Sequence, residues 1–287
     1  MPEGHTIHAL AARLDRAFAG RPVRASSPQG RFIAEAERLD GRRLSRSTAV
    51  GKHLFVDFDG AELLHVHLGL IGQFPVKPIE AGKAPDPVGA VRLRLVGEAH
   101  VADLRGPMIC ALITPDRMDE VTQALGPDPL DAGADGDRAW ERIRRSARMI
   151  AELLMNQSYV AGVGNVYRCE VLHRHRIDPF TSGRDLSAAN WHAIWQDLVE
   201  LLPLGVAFSQ ILTIDDQIEE AKVLVTDGTA GRLAPSLTGE RLGDWFERRF
   251  HVYQRTGEAC QRCGATIRSQ PLAGRTLYWC PTCQTLH

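Results

Sequence analysis

Lysine is scarce in this chain. Of the 34 basic residues among 287, only Lys52, Lys77, Lys83 and Lys222 are lysine, and the formal net charge is −1. A near-neutral total excludes indiscriminate attraction to polyanions, so any such contact has to come from local clusters. Long apolar runs are missing too. None approaches the ~20 residues that cross a bilayer, so no membrane-spanning helix is expected. Cysteine is limited to six residues, and nothing at the start reads as a secretory signal. A reducing, cytoplasmic setting is therefore expected rather than a disulfide framework. With 44% hydrophobic residues the chain can bury an ample core, and its length suggests two domains.

What cysteine there is falls in one place. Cys260-Gln261-Arg262-Cys263 is followed by sixteen residues and then Cys280-Pro281-Thr282-Cys283. Two such pairs fit a closed tetrahedral site for one Zn²⁺, structural because no coordination position is left for water or substrate. A disulfide pair or a redox centre is the competing reading. Four cysteine ligands also exclude a zinc-dependent hydrolase. Between the pairs, Ile267 to Trp279 alternates β-formers such as Thr276 and Tyr278 around Gly274, which predicts two short strands joined by a turn. From Arg241 to His287 there are seven arginines, no lysine and three acids. An arginine cluster on a rigid hairpin is the footprint of phosphate contact, against the alternative of a solvated charged face.

At the other end stands Met1-Pro2-Glu3. Removal of the methionine would leave Pro2 as a secondary amine beside a carboxylate. Such an amine forms an iminium with a carbonyl-like carbon, the electron sink of covalent amine catalysis, and α-amino groups are partly unprotonated near neutral pH. The alternative is that Pro2 simply opens a helix, where its missing N–H is harmless.

Between the ends, Ile7, Leu10, Leu14 and Phe18 predict an amphipathic helix from Pro2 to Gly20. Short apolar runs (Leu54–Phe58, Leu63–Leu70, Val91–Val96, Ile109–Ile113) then predict a β-sandwich or barrel, followed by a helix over 115–125. Gly126-Pro127-Asp128-Pro129 and the acidic stretch to Asp137 predict a linker. Helices are expected over Trp140–Arg145, Met149–Asn156, Val166–Arg174 and Ala188–Leu202. Before the third of these, Gly162 and Gly164 make a turn opening onto a helix, the form of a phosphate cradle or of a plain interhelical turn. Residues 206–240 predict a mobile loop or a solvated helix. The expected fold class is α+β multidomain: a catalytic unit at 1–125, a linker at 126–137, a helical domain at 138–250 and a zinc hairpin at 251–287.

Together these features resemble the formamidopyrimidine-DNA glycosylase/endonuclease VIII family. The likeness rests on Pro2-Glu3-Gly4, on Ala161-Gly162-Val163-Gly164-Asn165-Val166-Tyr167, which the family makes a helix-two-turns-helix motif, and on the hairpin ending Tyr278-Trp279-Cys280-Pro281-Thr282-Cys283-Gln284. The resemblance implies that Pro2 attacks C1′ of a damaged nucleotide while Glu3 acts as general acid and base. It implies that Lys52 approaches the lesion phosphate, that Asn165 and Arg275 grip flanking phosphates, and that Glu170 supports them. Leu70, in Leu68-Gly69-Leu70-Ile71-Gly72, would be a wedge filling the vacated stack. A second inserting loop would be Asp103–Gly106, where Arg105 resembles the arginine facing the orphaned base; the aromatic wedge expected after it is replaced by Gly106-Pro107.

The resemblance further implies a monomer acting on damaged or abasic-site duplex DNA in the bacterial cytoplasm, associated with the nucleoid. The Pro-Glu-Gly start, Gly126-Pro127-Asp128-Pro129, Arg168 and Tyr278-Trp279 lean to the endonuclease VIII branch and oxidised pyrimidines. The alternatives are an 8-oxoguanine/formamidopyrimidine enzyme and a non-catalytic zinc protein that binds distorted DNA.

Overall fold

A computed structural model describes residues 2–60, 62–80, 83–228 and 245–285. They fall into two compact units that divide after Ala124. The first unit opens with α1 (Gly4–Phe18), whose Ile7, Leu10, Leu14 and Phe18 form the buried stripe that the spacing predicts. Its strands are β1 (Arg21–Pro22), β2 (Arg24–Ser26), β3 (Arg43–Val50), β4 (His53–Phe58), β5 (Leu63–His67), β6 (Val76–Pro78), β7 (Val91–Val96), β8 (His100–Arg105) and β9 (Ile109–Ile113). A short helix, α2 (Ile33–Leu39), precedes β3, and an exposed one, α3 (Pro115–Gln123), follows β9.

The strands form two antiparallel sheets, ordered β1-β3-β4-β5-β9 and β2-β7-β8-β6. Leu54, Val56, Leu64 and Val66 from the first share a core with Leu93, Leu95, Ala102 and Leu104 from the second, and with Leu10, Leu14 and Phe18 of α1. The expected sandwich packed with the first helix is thus present. Within the larger sheet, Val50 pairs with His53, His53 with His67, and His67 with Ile109. The β3–β4 turn, the loop after β5 and the loop before β9 therefore leave one end of the sheet side by side, on strands about 5 Å apart.

The second unit holds α4 (Gly136–Ile143), α5 (Ile150–Met155), α6 (Asn165–Arg174), α7 (Ala188–Phe208), α8 (Asp215–Thr226) and the hairpin β10 (Arg268–Leu272) and β11 (Arg275–Trp279). Tyr167, Leu172, Trp191 and Leu198 share one core with Cys260, Ile267, Leu277 and Cys280, so the hairpin is continuous with the helices. Of residues 126–137, expected as a linker, 126–130 are packed here, with Asp128 buried and a Cβ on Gly126 set to lie 2.2 Å from the Tyr159 carbonyl, whereas 131–133 and 135 are exposed. Helix α7 runs past its expected end at Leu202, through Pro203. Part of 206–240 is α8, which buries Gln217, Ile218 and Ala221. The Gly/Thr/Ser-rich remainder, 229–240, lies outside the described residues. Among the described residues no helix is long and apolar enough to cross a membrane.

Candidate functional site

In the first unit the site begins where α1 begins. Asp15 Oδ1 accepts from the Ser47 N–H (2.5 Å), and the Gly20 N–H donates to the Leu44 carbonyl (2.8 Å), so α1 lies antiparallel to β3. About 18 Å of helix back from Asp15 and about 13 Å of strand on from Ser47 bring Glu3 and the Gly51-Lys52 turn to the same end of the sheet. Glu3 is fully buried and caps the helix: its carbonyl accepts from the Thr6 N–H (2.9 Å) and its own N–H donates to Thr6 Oγ1 (3.3 Å).

Beside half-buried Lys52 stand three histidines that the sequence reading passed over. His53 Nδ1 and His65 Nε2 share a proton at 2.9 Å, and the Gly69 N–H donates to His67 Nδ1 at 3.0 Å. Burial first, then neighbouring positive groups, push His53 down to about 3 and His65 down to about 4, and His67 is lowered for the same reasons. All three are neutral near pH 7, so they supply shape and hydrogen bonds without charge. The only sequence signal was the two-residue spacing of His65 and His67, which sets both on one face of a strand.

The loop after β5 carries Leu70, 47% exposed, and Ile71, 81% exposed. Arg105 differs from its expectation as a loop residue. Pairing of β8 with β7 continues to Val91, and Arg105 also bridges Gln73, so the strand ends at Arg105 and the loop is Gly106 to Met108. Its Nη2 donates to Asp103 Oδ2 (2.9 Å) and its Nε to the Val88 carbonyl (2.9 Å).

In the second unit, Gly164 is the N-cap of α6, and the Gly162 N–H of the expected cradle donates to Gln157 Oε1 (3.0 Å). Asn165, 3% exposed, donates through Nδ2 to the Thr276 carbonyl (2.9 Å), and its Oδ1 accepts from buried Arg168. A residue 111 positions away is thereby held against the neighbour of Arg275. Arg275 donates through Nη1 to the Gly274 carbonyl (2.7 Å), and its Nε has no partner. Glu170 is fully buried. Its carboxylate accepts the N–H groups of His251 (2.8 Å), Val252 (2.9 Å) and Tyr253 (2.9 Å) and the Thr213 hydroxyl (2.9 Å), fixing the chain that leads into the hairpin.

The four cysteine sulfurs lie within 4.8 Å of one another, with Cys260–Cys283 at 3.9 Å and Cys263–Cys280 at 3.5 Å. A tetrahedron with Zn–S bonds of about 2.3 Å has sulfur–sulfur edges of about 3.8 Å, so the donor set fits Zn²⁺. His173, on α6, places Nε2 3.6 Å from Cys260 Sγ, its ring stacked on His251 at 5.0 Å. Outside the cluster, burial pushes the Cys110 thiol up to about 12 and Cys169 up to about 11, which leaves both protonated and inert.

Three family models match the chain: the formamidopyrimidine-DNA glycosylase N-terminal domain over residues 1–108, the formamidopyrimidine-DNA glycosylase H2TH domain over 125–216, and the zinc finger found in FPG and IleRS over 257–286. Endonuclease 8 1 of Mycobacterium tuberculosis is 45% identical over 287 residues, covering 99% of this chain and 100% of that protein. Formamidopyrimidine-DNA glycosylase of a Nocardioides species is 32% identical over 98% of this chain and 90% of its own length. Among solved structures, the Lactococcus lactis Fpg in complex with abasic-site DNA matches with a TM-score of 0.77 at 22% identity, over 99% of this chain and 100% of that one.

Proposed function

This chain belongs to the formamidopyrimidine-DNA glycosylase/endonuclease VIII family of base-excision DNA glycosylases, and from that premise we propose that it excises oxidised pyrimidines from duplex DNA and then cleaves the strand. The reaction starts when the Pro2 amine, freed of Met1, attacks C1′ of the extruded nucleotide. The glycosidic bond breaks, and the base leaves with its electron pair and takes up a proton. Glu3 gives a proton to the sugar ring oxygen as the ring opens to the iminium. Loss of a C2′ proton expels the 3′ phosphate, a second elimination expels the 5′ phosphate, and water releases the amine. Lys52 neutralises the phosphate at the lesion.

Asn165 and Arg275 hold flanking phosphates, Leu70 enters the vacated stack, and Arg105 stands toward the opposite strand. Zinc, one ion on Cys260, Cys263, Cys280 and Cys283, would act as a structural clamp with no open position for chemistry. The protein would act as a monomer in the cytoplasm, at the nucleoid.

One observation supports this reading: the register of α1 against β3 runs the start of α1 and the Lys52 turn toward the same end of one sheet, which would bring an amine freed at Pro2, the buried Glu3 carboxylate and a cation near one another. The 45% likeness to Endonuclease 8 1 over nearly the whole chain supports the pyrimidine branch. Borohydride trapping on abasic-site DNA tests the chemistry, since only an amine nucleophile leaves a covalent adduct. Trapping should track the Met1-free fraction read by intact mass. Full trapping by protein that keeps Met1 would sink the assignment of Pro2.

A further inference from the structure

Helix α6 meets the cysteine hairpin along one face. Asn165, Cys169 and His173 stand four residues apart, so they form a stripe with one side chain per turn over about 12 Å of helix. Each touches a different point of the hairpin. Asn165 Nδ2 donates to the Thr276 carbonyl (2.9 Å), Cys169 Sγ accepts from the Tyr278 N–H (3.4 Å), and His173 Nε2 lies 3.6 Å from Cys260 Sγ. The backbone of the last turn is engaged as well, since Arg262, between Cys260 and Cys263, donates through Nη1 to the His173 carbonyl (3.1 Å).

The His173 contact differs from the other two because its partner belongs to the metal donor set. The sulfurs of Cys260, Cys263, Cys280 and Cys283 suffice for a closed tetrahedron, which leaves the imidazole outside it. A metal-bound thiolate has no proton to give, so the bond requires the proton on Nε2 and leaves Nδ1 bare. The surroundings favour the same tautomer. His173 is 1% exposed and its Nδ1 meets no hydrogen-bond partner, and a buried N–H left unsatisfied there would cost more than a bare ring nitrogen. Cys260 is buried too, and the His251 ring stacks on His173 at 5.0 Å, so water is kept from the bond.

We propose that His173 is a positioning residue of the metal site, an N–H donor to the zinc-bound Cys260 thiolate, and that through this bond α6 holds the cysteine cluster in line with Asn165. A hydrogen bond to a metal thiolate draws charge from the sulfur and fixes its direction, so the donor strengthens the hold on the metal without being a ligand. The same bond sets where the hairpin sits on the helix. Asn165 and the strand that carries Arg275 are then kept in register by two anchors at opposite ends of one stripe, Thr276 at one and Cys260 at the other. The His173–Cys260 bond stands on geometry alone, whereas its consequence for DNA rests on the phosphate roles proposed above.

The test uses the full-length zinc protein as wild type, His173→Leu, which removes the donor, and His173→Gln, which keeps an N–H. Zinc affinity, read by competition with a chromophoric chelator, should fall about 10–100-fold in His173→Leu and recover most of that loss in His173→Gln. The sulfur-to-metal charge-transfer band of the Co²⁺-substituted protein gives a signature that packing alone would not move. Without the hydrogen bond the sulfur electrons are held less tightly, so the band should shift to longer wavelength in His173→Leu and return in His173→Gln. Nitrogen NMR of the wild type needs no variant and should show His173 protonated at Nε2 and bare at Nδ1; it decides the matter even if His173→Leu does not fold. At full zinc occupancy, affinity for a duplex with a tetrahydrofuran abasic analogue should fall by about threefold in His173→Leu, equivalent to about 0.7 kcal/mol. A proton on Nδ1, an unchanged zinc affinity in His173→Leu, or a cobalt band that stays in place would each overturn the bond. Unchanged DNA affinity at full zinc occupancy would overturn the alignment of the cluster with Asn165. Failure of the glycosylase reading itself would appear separately, as absence of borohydride trapping by the wild type, and the metal measurements need no DNA.

Discussion

The two units handle polar and charged groups in opposite ways. In the first, the groups assigned to chemistry stand at an open sheet end: half-buried Lys52, the start of α1, and loops with exposed Leu70, Ile71 and Met108. In the second, Asn165, Arg168 and Glu170 are buried at 3% or less, and Asn165 and Glu170 are tied to chain more than 80 residues away. One unit leaves the side chains proposed to insert exposed and, among the groups assigned to chemistry, buries Glu3 alone. The other spends its buried polar groups on fixing a hairpin in place, because a buried charge left without partners costs several kcal/mol. The difference predicts that the two units fail differently when substituted: the first should lose rate and the second should lose stability or affinity.

The largest effect should come from Glu3→Gln. The amide keeps the size of the carboxyl group but can no longer shuttle a proton, and positioned acid–base groups contribute about 10²–10⁴-fold. Single-turnover excision should fall by that order while affinity for duplex with a tetrahydrofuran site stays within about threefold. A parallel collapse of affinity would erase the contrast between the units.

Next in size is Glu170→Ala. Three backbone N–H groups and the Thr213 hydroxyl would lose their acceptor at a buried site. At about 1–3 kcal/mol for each group left unsatisfied, partly relieved by relaxation, a loss of about 3–5 kcal/mol is expected. Denaturant titration should show a lower midpoint, and hydrogen exchange should rise at residues 251–253 and in the hairpin while the first unit's sheets keep their protection. Exchange rising equally in both units would show that Glu170 does not act locally.

The same contrast explains what could be read in the sequence. The four-cysteine cluster was legible because a metal donor set is written in residue type and local spacing, and the proposed roles of Pro2 and Glu3 rest on residue type in the same way. Helix α1 was legible because its single buried face imposes a period, and strands β4, β7 and β9 because each is a short apolar run set between turn residues. Strand β3, Arg-Leu-Ser-Arg-Ser-Thr-Ala-Val, was not, since it buries only Leu44 and Ser47. Helix α2 is seven residues with two buried. Helix α7 was expected to stop before Pro203, whose ring removes the N–H that would bond Val199. Val199 is 38% exposed, so water can satisfy its carbonyl and the helix continues to Phe208. The His53–His65 pair depends on strand register, and the Asn165–Thr276 bond on the packing of segments 111 residues apart. Neither leaves a local trace.

The smallest effect, and the sharpest probe of the second unit, is Arg275→Ala. Arg275 opens β11 beside Thr276, whose carbonyl is anchored by Asn165, so the backbone under the guanidinium is fixed whether or not the side chain is present. The guanidinium itself makes one described bond, to the adjacent Gly274 carbonyl, and keeps an unpartnered Nε. Removing it should therefore leave the hairpin folded, with the zinc content and melting temperature of the wild type. What goes is the one cation proposed to face phosphate. Affinity should drop by roughly tenfold at low salt, and the slope of log affinity against log salt should shrink by about 0.9, the signature of one fewer phosphate neutralised. The loss should be the same for every sequence and every base at the lesion, because a phosphate contact positions the duplex and reads no base edge. Salt-titrated binding to tetrahydrofuran duplexes of different sequence measures all of this. An unchanged salt slope together with an altered choice of base would assign Arg275 to base recognition and undo the division between a unit that reacts and a unit that holds.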